Sequence, residues 1–102
     1  MTTQLTCQGN QLRLEGELTF MTVNKLYDRG PALMDSLQTI IIDLQNVSRC
    51  DSSALALLIS WQRYASHCSK SITFAHVPQQ LLAVAEVCGI KEHFKQFLQR
   101  VD

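Results

Sequence analysis

Residues 40–58 of the chain read IIIDLQNVSRCDSSALALL, and this stretch decides the fold. Residues 40–44 form an aliphatic run that is typical of a central strand covered on both faces. We expect residues 45–50, which are mostly polar, to form a loop that carries the chain over the sheet edge. The triplet Asp-Ser-Ser at 51–53 supplies oxygens that accept hydrogen bonds from the free N–H groups of a first helical turn. The helix should therefore begin there, at the edge where open α/β sheets place their sites.

The helix is predicted to run from about Ser52 to Cys68 and to carry two stripes of side chains. The stripe that should pack on the sheet comprises Ala54, Leu57, Leu58, Trp61, Ala65 and Cys68. The second stripe is smaller and more polar, and it comprises Ala56, Ser60, Arg63 and His67. Because Leu55 and Ile59 lie between the stripes, we expect an apolar ledge beside Ser52 that suits a partner protein.

The chain before this stretch predicts an antiparallel hairpin. Residues 5–7 and 12–18 are short strand-like runs, and Gly9 and Asn10 between them can supply the positive φ angles of a two-residue turn. Gly16 is placed where a bulge or bend would interrupt the second strand.

Helical and strand-like segments alternate in the remainder. Residues 22–37 have helical spacing, but Pro31 interrupts it, so we expect a kinked helix or two short ones. A short strand at 72–75 implies a right-handed parallel crossover. A further helix is expected from Pro78 to a stop at Gly89, and a last short helix marked by Phe94, Phe97 and Leu98 should cap the core.

Composition restricts the class of protein. A chain of 102 residues is expected to form a single domain over 1–102. Nine basic residues balance nine acidic ones without a run of either sign, which argues against nucleic-acid and anionic-membrane binding. The polar N-terminus and the lack of a 20-residue apolar stretch predict a cytoplasmic protein with no direct membrane insertion.

The cysteines and histidines do not indicate chemistry. The four cysteines, at Cys7, Cys50, Cys68 and Cys88, are widely spaced, so we expect reduced, mostly buried thiols and no metal or cofactor, with Cys50 the one to test for reactivity. Ser52 could act as a nucleophile only with a nearby base. His67 is 15 residues further along the same helix, or about 22 Å away, and His76 has no obvious residue to orient it. We therefore predict that the protein is not an enzyme.

The order of these segments resembles the STAS domain, the module of sulphate transporters and anti-sigma-factor antagonists, over nearly the whole chain. The segments that carry the likeness are GEL at 16–18, IDL at 42–44, DSSAL at 51–55 and AEVCGI at 85–90. The resemblance implies an α/β fold with a mixed four- to five-stranded sheet and helices mainly on one face. It also implies no catalysis by the domain itself.

One alternative within the family is an anti-sigma-factor antagonist. In those proteins the serine after this aspartate is phosphorylated by an anti-sigma factor serine kinase, and Ser52 stands at that position. A phosphate there would be tolerated at the positive helix N-terminus and would repel a partner's acidic or apolar surface. The usual family pattern is Asp-Ser-Ser-Gly-Leu-Gly, however, and this chain carries Ala54 and Ala56 instead. At the two positions before the aspartate, where apolar residues are usual in those proteins, this chain has Arg49 and Cys50.

The favoured alternative is the small STAS subunit of Mla-type phospholipid-transport ABC systems, which maintain outer-membrane lipid asymmetry. The chain is similar to it over VSRCD at 47–51 and LALL at 55–58. The resemblance implies binding to the cytoplasmic ABC transporter ATPase subunit, and hence a location peripheral to the inner membrane. The residues expected to bind a partner are Asp51, Ser52, Ser53, Leu55, Ala56, Ile59, Ser60 and Arg63. Either Asp51 or Ser52 should also cap the helix.

Overall fold

The structure, a computed structural model, describes residues 3–98 and contains four strands and four α-helices. The elements in chain order are β1 (Gln4–Gln8), β2 (Gln11–Leu18), a 3-10 turn (Val23–Leu26), α1 (Arg29–Met34), β3 (Thr39–Cys50), α2 (Ser52–His67), β4 (Ser71–Ala75), α3 (Gln79–Val87) and α4 (Lys91–Lys95).

The strands form one mixed sheet in the order β1-β2-β3-β4. β1 and β2 are antiparallel, as the hairpin prediction required, whereas β3 runs parallel to both of its neighbours. Gly9 has a φ of +62°, but Asn10 is not in the left-handed region, so only one of the two turn residues behaves as predicted. The parallel pairing of β3 with β4 confirms the crossover through α2.

The core lies between the sheet and one layer of helices. Side chains of β2, β3 and β4 alternate between buried and more exposed positions. Those that face the helices are Leu12, Leu14, Leu18, Ile40, Ile42, Leu44, Ile72 and Phe74, all of which are buried. Ile41, on the opposite face, is half-buried. β3 is therefore central and the helices lie on one face of the sheet, as expected, but the expectation of a strand covered on both faces is wrong.

β3 is also longer than predicted, because residues 45–50 continue the strand instead of forming a loop. The extension pairs with the far half of β2, up to Cys50 opposite Leu18. Two register shifts in β2 accommodate it, and Gly16, with a φ of +94°, lies at one of them, which confirms the predicted bulge. The prediction failed because the extension is stabilised by a strand distant in sequence, while its polar side chains stay exposed.

The helices in the structure are close to those predicted from helical spacing in the sequence, with small differences in their bounds. Two short helical segments replace one long helix around Pro31, as predicted. α4 contributes the buried Phe94, whose ring stacks on Phe74 at 5.2 Å between centroids. Phe97 and Leu98 lie beyond α4 rather than within it, and the N–H of Phe74 donates to the carbonyl of Phe97 at 2.7 Å. This contact covers the outer edge of β4.

Three of the four cysteines contradict the expectation of buried thiols. Cys7, Cys68 and Cys88 are exposed, and Cys50 is buried. Cys68 was assigned to the stripe of α2 that packs on the sheet, but it follows the last turn, where its N–H caps the helix instead. Its helical spacing no longer predicts burial because the helix has ended.

A buried carboxylate lies on the face of the sheet that the helices leave open. Asp43 is only 2% exposed, and its oxygens accept hydrogen bonds from Gln11 Nε2 at 3.2 Å and the Gln45 N–H at 3.0 Å. His76 Nδ1 lies 3.0 Å away and Arg13 Nε 3.4 Å away. Burial alone would raise the pKa of Asp43, but the hydrogen bonds from the Gln45 N–H and from His76, with the charges of His76 and Arg13, together lower it. The ionised form is thus favoured in the folded protein.

We predict that Asp43→Asn costs about 1–3 kcal/mol of stability at pH 7, because it leaves buried donors without their charged acceptor. Since the folded-state pKa is lowered, this stability is present above the ordinary pKa near about 4 and is lost as the pH falls through the folded value. Urea unfolding between pH 3 and pH 7 should show the two proteins converging at low pH. A difference that does not change with pH would contradict this assignment.

Gly30 offers a second test of the fold. A Cβ atom at this position would lie 2.5 Å from Cζ2 and 2.6 Å from Nε1 of Trp61, whose ring is fully buried. Gly30→Ala should therefore destabilise the protein by about 1–3 kcal/mol despite the better helix propensity of alanine. The exposed change Ala32→Ser, in the same helix, should stay within about 0.5 kcal/mol in the same thermal unfolding measurement. Equal stability of both variants would contradict the packing.

Candidate functional site

The sequence left open whether Asp51 or Ser52 caps α2, and in the structure the cap is Asp51. Asp51 is the N-cap of α2, and its Oδ1 accepts from the N–H of Ser53 at 2.8 Å. Its Oδ2 accepts from the N–H of Phe20 at 3.2 Å. Ser52 is the first helical residue, and its side chain is exposed. Because Asp51 supplies the cap, the hydroxyl of Ser52 is not needed to begin the helix and faces outward.

The bond to Phe20 places a loop at residues 19–22 beside the start of α2. Thr22 Oγ1 donates to the carbonyl of Glu17 at 2.8 Å and accepts from the N–H of Thr19 at 2.9 Å. These bonds hold the loop in one conformation. Its two large side chains are nevertheless exposed, Phe20 by 67% and Met21 by 77%. The loop therefore presents two apolar groups whose backbone is already ordered.

α3 lies on the other side of Ser52 and forms an apolar cleft with it. The cleft has a volume of about 410 Å³ and is lined by Cys50, Asp51, Ser52, Gln80, Ala83, Val84, Val87 and Cys88. Val87 is 88% exposed. The N–H of Cys50 donates to Gln80 Oε1 at 3.2 Å, which ties the end of β3 to α3. We call Ser52 together with Phe20, Met21, Val84 and Val87 the Ser52 surface.

A second depression, here called the α2 groove, runs along α2 from the Ser52 surface. It has a volume of about 440 Å³ and is lined by Ser52, Leu55, Ala56, Ile59, Ser60, Arg63, Cys88 and Ile90. The first six of these residues were all selected from the sequence as partner-binding. Leu55 is only 3% exposed, so it forms the floor of the groove and not the raised ledge that was expected. The structure thus brings these six side chains together, whereas Ser53 takes part in the cap through its N–H.

Cys50 does not have the properties of a reactive thiol. It is 3% exposed, and burial together with the neighbouring charge of Asp51 raises the pKa of its thiol. The thiol therefore stays protonated at neutral pH, and the suggestion of reactivity at Cys50 receives no support.

Neither histidine considered from the sequence is positioned as a base for Ser52. His76 follows β4 and contacts Asp43 at 3.0 Å. His67 is the last residue of α2, and Ser52 is its first. Within residues 3–98 no group of three or more metal-ligating side chains is found, and no helix there is long and apolar enough to cross a membrane.

The fold and the capped, exposed helix start define a small α/β domain of the STAS type. The family model described as "Mlab, STAS domain" matches residues 1–99, and the chain belongs to this family. No curated protein matches the chain significantly.

Solved structures confirm the fold. An anti-sigma factor antagonist from Mycobacterium paratuberculosis is 18% identical, with a TM-score of 0.75 over 98% of this chain and 86% of that one. The phosphorylated form of the Bacillus cell fate determinant SpoIIAA is 16% identical, with a TM-score of 0.70 over 99% of this chain and 92% of that one. The SulP transporter STAS domain from Vibrio cholerae is 13% identical, with a TM-score of 0.60 over 94% and 77%.

The division of roles between Asp51 and Ser52 predicts different costs of mutation. Asp51→Ala removes the acceptor for two backbone N–H groups and should destabilise the protein by about 1–2 kcal/mol. Ser52→Ala should change stability by less than about 0.5 kcal/mol, because the serine is exposed and does not cap the helix. Chemical denaturation of both variants checks this. A larger loss for Ser52→Ala than for Asp51→Ala would show that the cap has been assigned to the wrong residue.

Proposed function

We propose that the protein is a non-catalytic subunit that binds and regulates the cytoplasmic ATPase of an Mla-type ABC phospholipid transporter. It would dock through the Ser52 surface, and it would be held at the cytoplasmic side of the inner membrane by its partner. One observation carries this proposal. Within residues 3–98, the most exposed large apolar side chains are Phe20, Met21 and Val87, and all three flank the start of α2.

The chemistry of the Ser52 surface favours a protein partner. Exposed apolar side chains on ordered backbone, with polar groups beside them, are what a protein interface buries. The loop at 19–22 is held by its own hydrogen bonds, so little conformational entropy is lost when a partner covers it. The formal net charge of zero gives no long-range attraction to nucleic acid or to an anionic membrane.

The family description supports an Mla-type partner, because it carries that name. The VSRCD and LALL segments support the same choice. In this proposal the transporter maintains the lipid asymmetry of the outer membrane, and the present subunit acts on it through contact alone.

The alternative, an anti-sigma-factor antagonist switched by phosphorylation of Ser52, is favoured by the position of the hydroxyl. Ser52 is exposed at the N-terminus of a 16-residue helix, where a phosphate would be stabilised by the helix dipole. The partner would then be an anti-sigma factor serine kinase. Both proposals use the same surface, and they differ in which protein covers it.

The central test is binding of the purified ATPase subunit to Ser52 variants, measured by calorimetry. Ser52→Glu should weaken binding at least about 30-fold, because it would bury a charge against an apolar partner surface. Ser52→Ala should change affinity by less than about threefold. Wild-type affinity in the Ser52→Glu variant would remove Ser52 from the interface.

Thr6→Glu is the matched control, since Thr6 is an exposed hydroxyl residue on β1. It should bind like the wild type. Mass spectrometry of the protein from cells separates the two partner classes: a phosphate on Ser52, combined with no binding to the ATPase, would replace the transporter proposal by the sigma-pathway alternative.

A further inference from the structure

The α2 groove is asymmetric in charge. Its only charged lining residue is Arg63, which is exposed and lies at the end remote from Ser52. The ion pairs found within residues 3–98 use other cations, namely Arg13, His76, Lys91 and Lys95. The guanidinium of Arg63 is thus available to an external anion. No carboxylate lines the groove to compete for it.

The length and shape of the groove limit what can fill it. Arg63 follows Ser52 by 11 residues, which corresponds to about 16 Å, or three helical turns. Between them the lining is mostly apolar, with Leu55 as the floor, Ile59 and Ile90 also in the lining, and Ser60 as the polar residue. Ala56 is small and exposed, so another backbone can come close at this point. A second helix laid along α2 fits these dimensions.

We propose that the α2 groove receives an amphipathic helix of the partner protein, whose apolar side chains cover Leu55, Ala56 and Ile59 and whose carboxylate pairs with Arg63. This inference rests on the proposed function for the identity of the partner and adds the chemistry of the segment that docks. Arginine suits this role because its planar guanidinium can bind a carboxylate through two parallel hydrogen bonds. The ion pair would fix the register of the bound helix.

Two other possible occupants of the α2 groove, a second copy of this chain and an anionic membrane, fit less well. In a symmetric dimer the groove would face its own copy, and since it contains no carboxylate, Arg63 would meet another cation-bearing surface. An anionic membrane is bound through clusters of several basic residues, whereas the groove has one. The charge pattern therefore favours a different protein that contributes an acidic side chain.

Charge variants of Arg63 test this inference with the purified ATPase subunit, again by calorimetry. Arg63→Glu should weaken binding at least about tenfold, Arg63→Gln should weaken it less, and Arg63→Lys should retain part of the affinity. Lys95→Glu is the control, because it makes a comparable charge reversal on α4 outside the groove. It should bind within about twofold of the wild type.

A zero-length cross-link identifies the partner's carboxylate directly. The amine introduced by Arg63→Lys can be coupled by a carbodiimide to a carboxylate in contact with it, with loss of one water in overall balance. The expected product joins position 63 to an aspartate or glutamate within a helix of the ATPase subunit. A cross-link to a second copy of this chain, or to a carboxylate outside any helix, would overturn the inference.

The two proposals fail in different ways. If Arg63→Glu binds like the wild type while Ser52→Glu does not, the helix-in-groove inference is wrong and the proposed function stands. If wild-type protein does not bind the ATPase, the proposed function is wrong and the inference that rests on it falls as well. Binding to vesicles of phosphatidylglycerol that depends on Arg63 would assign the groove to the membrane instead.

Discussion

The Ser52 surface depends on one carboxylate, that of Asp51. One of its oxygens begins α2 by accepting from Ser53, and the other holds the loop at 19–22 by accepting from Phe20. The N–H of Asp51 donates in turn to the carbonyl of Leu18, so the end of β2 joins the same network. A strand, a loop and a helix therefore meet at one residue. Ser52 is left exposed because its neighbour satisfies the helix.

Much of the fold could be predicted because it follows from local periodicity. The hairpin, the interrupted helix around Pro31 and the extent of α2 all come from spacing and from residues with restricted backbones. The extension of β3 to Cys50 could not be predicted in this way, since its hydrogen bonds are made with β2, about 30 residues earlier. Polar residues in a strand with an open face look like a loop in the sequence.

The candidate site could likewise be predicted only where its residues lie close together in the sequence. Six of the eight residues that line the α2 groove lie on α2, and their helical spacing predicts that they lie close together. Phe20, Met21 and Val87 were missed, because their closeness to Ser52 results from the packing of the loop and α3 against the helix start. The contact between Asp43 and His76 was missed for the same reason: 33 residues separate them. For Phe20, Met21 and Val87, the one signal available in the sequence was a large apolar side chain beside turn-forming residues.

We propose above that the start of α2 and the elements packed beside it form a docking surface for the ATPase. Amide hydrogen exchange of the complex, compared with the free protein, tests it most directly. We expect slower exchange at residues 19–22, 52–63 and 83–90, with no change in β1. Protection confined to β1 and the open face of the sheet would contradict it.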